Sequence, residues 1–439
     1  MFKETSKELL DFLSKSPTAF HAVENYRQIL NADGFKELLE SEHWDIVPGG
    51  KYYVTRNNTS ILAFKVGTKL DNYSFNIVTS HTDSPTFKVK ENAEIEVKNK
   101  YTQLNTEGYG GMLCATWLDR PLSIAGRVLV SEGNSIVTKL LNIDRDLLMI
   151  PNVAIHMNRA ANDGFKYNLQ VDMLPLLSAG DDRQKDFKQI LADELGVKKE
   201  DILGHDLYLY NRMAPSIWGA NEEFISAGHL DDLQCGFASL KALLAGYNDE
   251  SIDIMACFDN EEVGSGTKQG ADSTLLRDTL TRINSALGKT EEDYHRALAS
   301  SFMLSSDNAH AVHPNHPEHT DATNCTYMNE GVVVKSHAGQ KYTSDGVSMA
   351  VVKALASGAD VPLQYFANRS DKAGGSTLGN IAMAQASMNA VDIGLPQLAM
   401  HSSYETAGIK DTYYAISLMK ALFDSHIQET STHSLEIKR

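Results

Sequence analysis

Strand-like runs alternate with helical segments over the second half of the chain, and this alternation constrains the fold most strongly. After residue 216, extended runs such as "SIDIMACFD" and "EGVVVKSH" are separated by segments with helical periodicity, such as "GVSMAVVKALASG". Parallel strands need crossover connections, which are usually helices. The sequence therefore predicts an α/β fold with a central, mostly parallel sheet that helices cover on both faces.

Residues 91–215 interrupt this pattern. They contain short strand-like runs, including "RPLSIAGRVLV" and "DLLMIPNVAIHMN", and one acidic helical segment near "DRQKDFKQILADELGV". The preceding residues carry two amphipathic helical segments and then extended runs that end in "YSFNIVTSHTDSP". A chain of 439 residues exceeds what one core usually fills. We therefore expect a discontinuous α/β domain, 1–90 and 216–439, with a β-rich domain, 91–215, inserted into it.

The charge and the cysteine content exclude several classes of protein. A formal net charge of -17 without a basic stripe argues against nucleic acid as a partner. No apolar run reaches membrane-spanning length, and the N-terminal segment lacks the apolar core of a signal peptide. The four cysteines are too scattered for a disulfide framework or a CxxC metal site. We expect a cytoplasmic protein with reduced thiols and no membrane partner.

Residues that can bind metals follow several of the predicted strands. Ligands of parallel α/β sheets bind beyond the carboxyl ends of the strands, so these side chains should converge. Each one has an ordinary explanation when it is taken alone: a packed histidine, a solvated acid in a loop or a helix N-cap. The set consists of His81 after "FNIVTS", Glu261 and Glu262 after "DIMACF", Asp307 after "SFMLSS", His401 after "LPQLAM", and Asp231 at the start of "DDLQCGFASL".

Two histidines and three carboxylates can hold two zinc-like ions when one carboxylate bridges them. Two such ions can activate a shared water molecule and polarise the bond under attack. Adjacent acids in a turn can diverge, so we expect Glu262 to be a ligand and Glu261 the general base. Asp83 lies two residues after His81 and is expected to orient that imidazole.

With these stretches in order, the chain resembles the aspartyl aminopeptidase-like metallopeptidases over nearly its whole length. The resemblance lies in "SHTDSPTFKVK", "HLDDLQCGFASL", "FDNEEVGSGT", "SSDNAHAVHPN", "VVVKSHAGQKYTS", "RSDKAGGSTLG" and "VDIGLPQLAMHSSYE". It implies a zinc exopeptidase-like fold with two divalent metal ions per subunit, zinc first and cobalt or manganese as alternatives. It assigns His81 and Asp307 to one ion, Glu262 and His401 to the other, and Asp231 to both.

The resemblance also implies an assembly and further site residues. The inserted domain would dimerise, and the dimers would build a tetrahedral dodecamer. His156 would reach a partner's active site, although a histidine packed within its own domain is the alternative. His313, and also His310, would lie beside the substrate, although the loop "DNAHAVHPNHPEHTD" has the composition of a metal-binding tract. Lys335 would pair with an acidic substrate side chain, with a solvated lysine as the alternative.

The expected activity is removal of the N-terminal residue from peptides with a free N-terminus, with a preference for Asp or Glu. The alternative is the same chemistry with neutral or apolar N-terminal residues. A metallophosphoesterase and a non-catalytic assembly scaffold remain competing interpretations. The chain departs from the family pattern at "HLDDL", where relatives commonly have Arg-Leu-Asp-Asn. Because His229 and Asp232 replace the arginine and the asparagine, the family pattern does not predict the charge around Asp231.

Overall fold

The computed structural model describes residues 1–180 and 186–439. In this part of the chain the helices are α1 (Phe2–Ser14), α2 (Ala19–Ala32), α3 (Phe187–Leu195), α4 (Leu230–Ala245), α5 (Leu275–Ala286), α6 (Glu291–Ala299), α7 (Gly346–Gly358), α8 (Leu378–Gln385) and α9 (Asp411–Phe423). The strands are β1 (Lys36–Leu38), β2 (Lys51–Arg56), β3 (Ser60–Val66), β4 (Ser74–His81), β5 (Thr86–Val97), β6 (Tyr101–Tyr109), β7 (Leu122–Glu132), β8 (Ser135–Asn142), β9 (Leu176–Ala179), β10 (Ile202–Asn211), β11 (Ser216–Trp218), β12 (Phe224–Ala227), β13 (Ser251–Phe258), β14 (Phe302–Ser306), β15 (Ala309–His310), β16 (Val332–Lys335), β17 (Leu363–Phe366), β18 (Asn389–Gly394), β19 (Pro396–Leu398), β20 (Glu405–Gly408), β21 (His426–Ser431) and β22 (Ser434–Lys438).

The predicted central sheet is confirmed. It has nine strands in the order β1-β2-β3-β13-β4-β14-β18-β16-β17, and most of its neighbouring pairs are parallel. Every residue of β4 and β13 is buried, which is typical of parallel strands covered on both faces. The fold is therefore α/β with a mixed, mostly parallel sheet.

Helices pack against both faces of this sheet. Along β13, Met255 and Cys257 belong to one apolar core, whereas Ile254 and Ala256 belong to the other, because successive side chains point to opposite faces. The first core includes residues of α1, α2, α4, α7 and α9. The second core includes residues of α5, α6 and α8. Two separate layers of helices thus cover the two faces of the sheet.

A separate antiparallel sheet lies between β4 and β11 in the sequence. Its order is β8-β7-β10-β5-β6-β9, and it packs its own apolar core, to which Phe187 and Leu191 of α3 contribute. The helical segment predicted near residues 182–197 corresponds to α3, and its residues 182–185 lie outside the described part of the chain. The division into 1–90, 91–215 and 216–439 as domains stays a prediction.

Two strands near the C-terminal end differ from expectation. The run "NAVDIG" forms β18, which lies inside the central sheet between β14 and β16, although it was not predicted as a strand. The predicted strand "LPQLAM" before His401 shortens to β19, which belongs to a third sheet with the order β11-β12-β20-β19-β15. The described helices include none that is both long enough and apolar enough to cross a membrane.

Candidate metal centre

Three adjacent parallel strands form the base of the candidate centre. β13, β4 and β14 are neighbours in the sheet and run in the same direction, so their carboxyl ends meet at one edge. His81 ends β4, Glu261 and Glu262 follow β13, and Asp307 follows β14. The structure brings these four side chains to one place.

Asp83 holds both His81 and the turn after β13. The Nδ1 atom of His81 lies 3.0 Å from the backbone oxygen of Asp83 and 3.3 Å from its Oδ1. Because these oxygens accept hydrogen bonds, Nδ1 is the donor, and the lone pair of Nε2 is left free to bind a metal ion. The carboxylate of Asp83 also accepts the backbone N–H groups of Glu261 at 3.1 Å and Glu262 at 3.2 Å.

Asp231 lies at the irregular start of α4. The N-cap of this helix is His229, and the backbone of Asp231 is non-helical, with φ -82° and ψ 110°. The Asp231–Asp232 peptide bond is cis. The backbone N–H of Asp231 donates to Glu405 Oε2 at 3.0 Å. Asp231 is therefore not the N-cap, and its carboxylate is directed to the centre.

His401 reaches the centre by a different route from the one expected. It was predicted at the end of a strand of the same sheet, and this placement is wrong, because it follows β19 of the third sheet through a turn in which its own φ is 67°. Its backbone N–H donates to Glu405 Oε1 at 2.8 Å, and its Nδ1 donates to the backbone oxygen of Gly111 at 2.8 Å. These contacts leave Nε2 of His401 free to bind a metal ion.

The carboxylate of Asp231 lies between the two histidines. Its Oδ1 is 3.4 Å from His81 Nε2, and its Oδ2 is 3.6 Å from His401 Nε2. Nε2 of His401 is also 3.4 Å from Glu262 Oε1. Two groups therefore share Asp231, each with its ligand atoms within 4.8 Å of one another: His81, Asp231 and Asp307, and Asp231, Glu262 and His401.

The electrostatics of the cluster favour bound cations. Burial and the nearby charge of Asp231 raise the pKa of Glu262 well above its usual range. Burial also raises the pKa of Asp307 and, together with the charges of Asp307 and Asp83, raises that of Glu261 to about 8. Among the described residues, the buried atoms Asp231 Oδ1 and Glu262 Oε1 have no hydrogen-bond partner. Divalent ions would compensate this excess of carboxylates and coordinate both oxygens, so the residues fit metal.

Lys335 lies beside this cluster. It ends β16, is only 4% exposed, and its Nζ donates to the backbone oxygen of Asn308 at 2.8 Å. The same Nζ is 3.5 Å from Asp307 Oδ1 and lies over the ring of Tyr342. The solvated-lysine alternative is therefore wrong. The positive charge of this buried ammonium group offsets part of the negative charge of the cluster.

The two residues at which the chain departs from the family pattern have different environments. Asp232 is fully buried, and its Oδ2 accepts the backbone N–H of His81 at 3.1 Å. Burial raises the pKa of Asp232 well above its usual range. The oxygen that it offers to His81 is an acceptor that an amide side chain could also supply. Burial lowers the pKa of His229 to about 4, so this residue does not supply a positive charge.

The remaining predicted site residues lie at the surface. His310 and His313 are exposed and line a cavity of about 250 Å³ together with Met400, which precedes His401. His156 is exposed in the segment between β8 and β9, next to the exposed side chains of Ile155 and Met157. A partner-subunit role for His156 therefore stays a prediction.

Two residues of the centre were not assigned from the sequence. Glu405 accepts the backbone N–H groups of both Asp231 and His401, and Tyr109 donates to Asp83. Glu405 lies only four residues after His401, in "HSSYE", and this short spacing could have indicated that it holds His401. Tyr109 ends β6 in the antiparallel sheet, and no sequence pattern connects it to Asp83.

Comparisons with known proteins identify relatives of this chain. The sequence model of the family described as "Aminopeptidase I zinc metalloprotease (M18)" matches residues 12–423. A "Probable M18 family aminopeptidase 2" of Clostridium novyi is 48% identical over 425 residues, 95% of this chain and 98% of that protein. The structure of Ape4 in complex with Nbr1 superposes with a TM-score of 0.93 at 35% identity, covering 96% of this chain and 86% of that one. The S. cerevisiae mApe1 dodecamer gives 0.84 at 28% identity, covering 96% of this chain and 97% of that one. The chain therefore belongs to the M18 family of zinc aminopeptidases.

Proposed function

We propose that this aminopeptidase works with two divalent metal ions, zinc first, that share the carboxylate of Asp231. One observation carries this proposal: the two oxygens of Asp231 face different histidines, and Asp231 forms a separate three-residue group with each of them. His81 and Asp307 would complete one site, and Glu262 and His401 the other. When bound, the ions supply Lewis-acid chemistry, which lowers the pKa of a water molecule and polarises the scissile carbonyl.

Glu261 is the proposed general base. It follows Asn260, whose φ is 62°, and it precedes Glu262 in a 3-10 turn that Asp83 holds through both backbone N–H groups. Its carboxylate belongs to a group with His81 and Glu262. In the proposed mechanism Glu261 takes a proton from the attacking water and returns it to the leaving amine, so that one residue leaves the N-terminus per turnover.

The variant Glu261→Gln tests this role. The amide keeps the shape of the side chain but cannot accept the proton, so we expect turnover to fall about 100- to 10,000-fold. Metal content, measured by elemental analysis, should stay close to that of the wild type. A variant that retains wild-type turnover would exclude Glu261 as the base. A variant that loses metal together with activity would make Glu261 a ligand instead.

Lys335 supports a preference for acidic N-terminal residues. An ammonium group has three donors, and the contacts with Asn308 and Asp307 leave capacity for a substrate carboxylate. In a buried site a charge-assisted contact is worth roughly 1.5–3 kcal/mol, or about a tenfold to a hundredfold preference. The second candidate specificity is a preference for neutral or apolar N-terminal residues, which the same reaction would remove.

A panel of Asp-, Glu-, Leu- and Ala-anilides separates the two specificities. In Lys335→Ala we expect kcat/KM to fall for the acidic substrates alone. An equal loss on all four would show that Lys335 serves Asp307 and not the substrate. Lys341→Ala is the matched control, because Lys341 is an exposed lysine whose Nζ donates to the backbone oxygen of Gly374. Peptide and phosphoester substrates, tested side by side, separate the peptidase from a phosphoesterase.

The proposed assembly is a homo-oligomer, built as a tetrahedral dodecamer from dimers that form through the antiparallel sheet. The solved mApe1 dodecamer supports this, as does a run of exposed apolar side chains between β8 and β9, which is a common sign of an interface. These side chains include Val153, Ile155, Met157 and Val171. His156 lies among them, so contact with a partner's active site is compatible with its position. A cytoplasmic location stays a prediction.

A further inference from the structure

The histidine-rich loop after β15 places three imidazoles next to one another. The backbone N–H of His316 donates to the oxygen of His313 at 3.0 Å, and that of His319 donates to the oxygen of His316 at 3.2 Å. In turns with this spacing, side chains three residues apart eclipse one another. The ring centroids are accordingly 5.3 Å apart for His313 and His316, and 5.5 Å apart for His316 and His319.

Glu318 places a carboxylate next to two of these rings. Its Oε1 is 3.1 Å from His316 Nδ1 and 4.0 Å from His319 Nε2, and the three ligand atoms lie within 4.8 Å of one another. A tetrahedral zinc ion with bonds of 2.0–2.1 Å to nitrogen and oxygen separates its ligand atoms by about 3.4 Å. The two distances to Oε1 lie on either side of this value. Small rotations of exposed side chains would therefore close the site.

We propose that His316, Glu318 and His319 form a separate binding site for a divalent transition-metal ion, zinc first. Two imidazoles and one carboxylate are a recurrent ligand set for zinc, and water can occupy the fourth position. The site shares no residue with the two groups around Asp231. The proposal does not depend on the mechanism proposed for those groups.

The charges around the loop are compatible with a cation. A backbone hydrogen bond and the contact with His316 lower the pKa of Glu318, so its carboxylate is charged at neutral pH. The nearby guanidinium of Arg369 donates to the backbone oxygen of Glu318, and its charge is paired with Asp371 at 2.9 Å. Arg369 therefore does not occupy the carboxylate oxygen that the ion would use.

The site lies at the wall of the cavity next to the metal centre. His319 and His313 line this cavity of about 250 Å³ together with His310 and Arg369. An ion held by His316, Glu318 and His319 would fix the conformation of that wall. The alternative is an exposed histidine–glutamate contact that needs no metal, and exposed pairs of this kind contribute little to stability.

Equilibrium dialysis separates these alternatives. The full-length protein is dialysed against a buffer that holds free zinc at a micromolar level, and zinc per chain is measured by elemental analysis. We expect the wild type to hold one more ion per chain than the double variant His316→Ala/His319→Ala. The single variant Glu318→Gln, a mild surface change, should also lose that ion.

The matched control is His295→Ala. His295 is an exposed histidine with a carboxylate of Glu291 at 3.9 Å, and no second histidine joins them among the described residues, so this variant should keep the wild-type zinc content. Equal zinc in the wild type, the double variant and Glu318→Gln would overturn the proposal. A loss of one ion in the control as well would also overturn it, because adsorption to surface histidines would then explain the result.

Discussion

The hydroxyl of Tyr109 donates a hydrogen bond to Asp83 Oδ2 at 2.7 Å. Tyr109 ends β6 of the antiparallel sheet, whereas Asp83 follows β4 of the central sheet and contacts His81, Glu261 and Glu262. One side chain of the antiparallel sheet therefore contacts the residue that holds both His81 and the turn of Glu261 and Glu262. The two sheets are coupled at the centre itself.

Removing this hydroxyl should impair catalysis without removing a ligand. Partners that orient metal ligands typically contribute about tenfold to a hundredfold in metal affinity or activity, and we expect a loss in that range for Tyr109→Phe. If Tyr109 acts by positioning, kcat should fall while KM changes little. Tyr208→Phe is the control, because its ring packs against Tyr109 at 5.7 Å and its hydroxyl has no hydrogen bond among the described residues. Equal effects in both variants would indicate a packing role.

The buried acid beside Asp231 should tolerate an amide. Asp232 uses one oxygen to accept the N–H of His81, and its other oxygen has no hydrogen-bond partner among the described residues. Asparagine retains that acceptor. We expect Asp232→Asn to keep its metal content and to stay within about threefold of wild-type kcat/KM, because a broken hydrogen bond of about 1 kcal/mol would cost about fivefold. A loss of metal in this variant would show that the negative charge is needed.

The sequence predicted which side chains meet at the base of the centre, because they follow neighbouring strands of one sheet. His81, Glu262 and Asp307 lie at or after the carboxyl ends of fully buried strands, and parallel neighbours end at a common edge. His401 could not be placed correctly, since its strand is short and pairs with β20 in another sheet. Tyr109 depends on the packing of two sheets, and such long-range contacts leave no local pattern in the sequence.

The exposed apolar segment gives a test of assembly. Met157 is 84% exposed, and its neighbours Ile155 and Val153 are also exposed apolar residues. A carboxylate at this position would be buried without a partner in an apolar interface, which is costly. We expect Met157→Glu to lower the mass of the assembly in light scattering at unchanged helix content. Val47→Glu, at another exposed apolar residue outside this segment, should leave the mass unchanged, and an intact assembly in Met157→Glu would exclude this segment from the interface.

Asp253 should make the stability of the fold depend on pH. It is 1% exposed within β13, where its Oδ1 accepts from Ser251 Oγ at 2.9 Å and from Asn76 Nδ2 at 3.1 Å. Burial raises its pKa to about 8, whereas an unfolded aspartate titrates near about 3.9. The folded state therefore binds a proton that the unfolded state has lost, and the free energy of unfolding falls as pH rises between these two values.

The variant Asp253→Asn cannot ionise, so it should lack this decline. We expect its thermal midpoint to rise relative to that of the wild type as the buffer changes from about pH 5 to about pH 8. Asp71→Asn, at an exposed position, is the control and should show a constant difference. A constant difference for Asp253→Asn as well would contradict the raised pKa.

Metal content per chain tests the sharing of Asp231 most directly. The measurement is best made by elemental analysis in the His316→Ala/His319→Ala background, so that the proposed surface site does not contribute. We expect two ions per chain in that background, one ion after His401→Ala, and none after Asp231→Asn, because both groups lose a ligand when Asp231 changes. A count of only one ion per chain in the His316→Ala/His319→Ala background would contradict a shared carboxylate. So would a folded Asp231→Asn variant that still holds one ion.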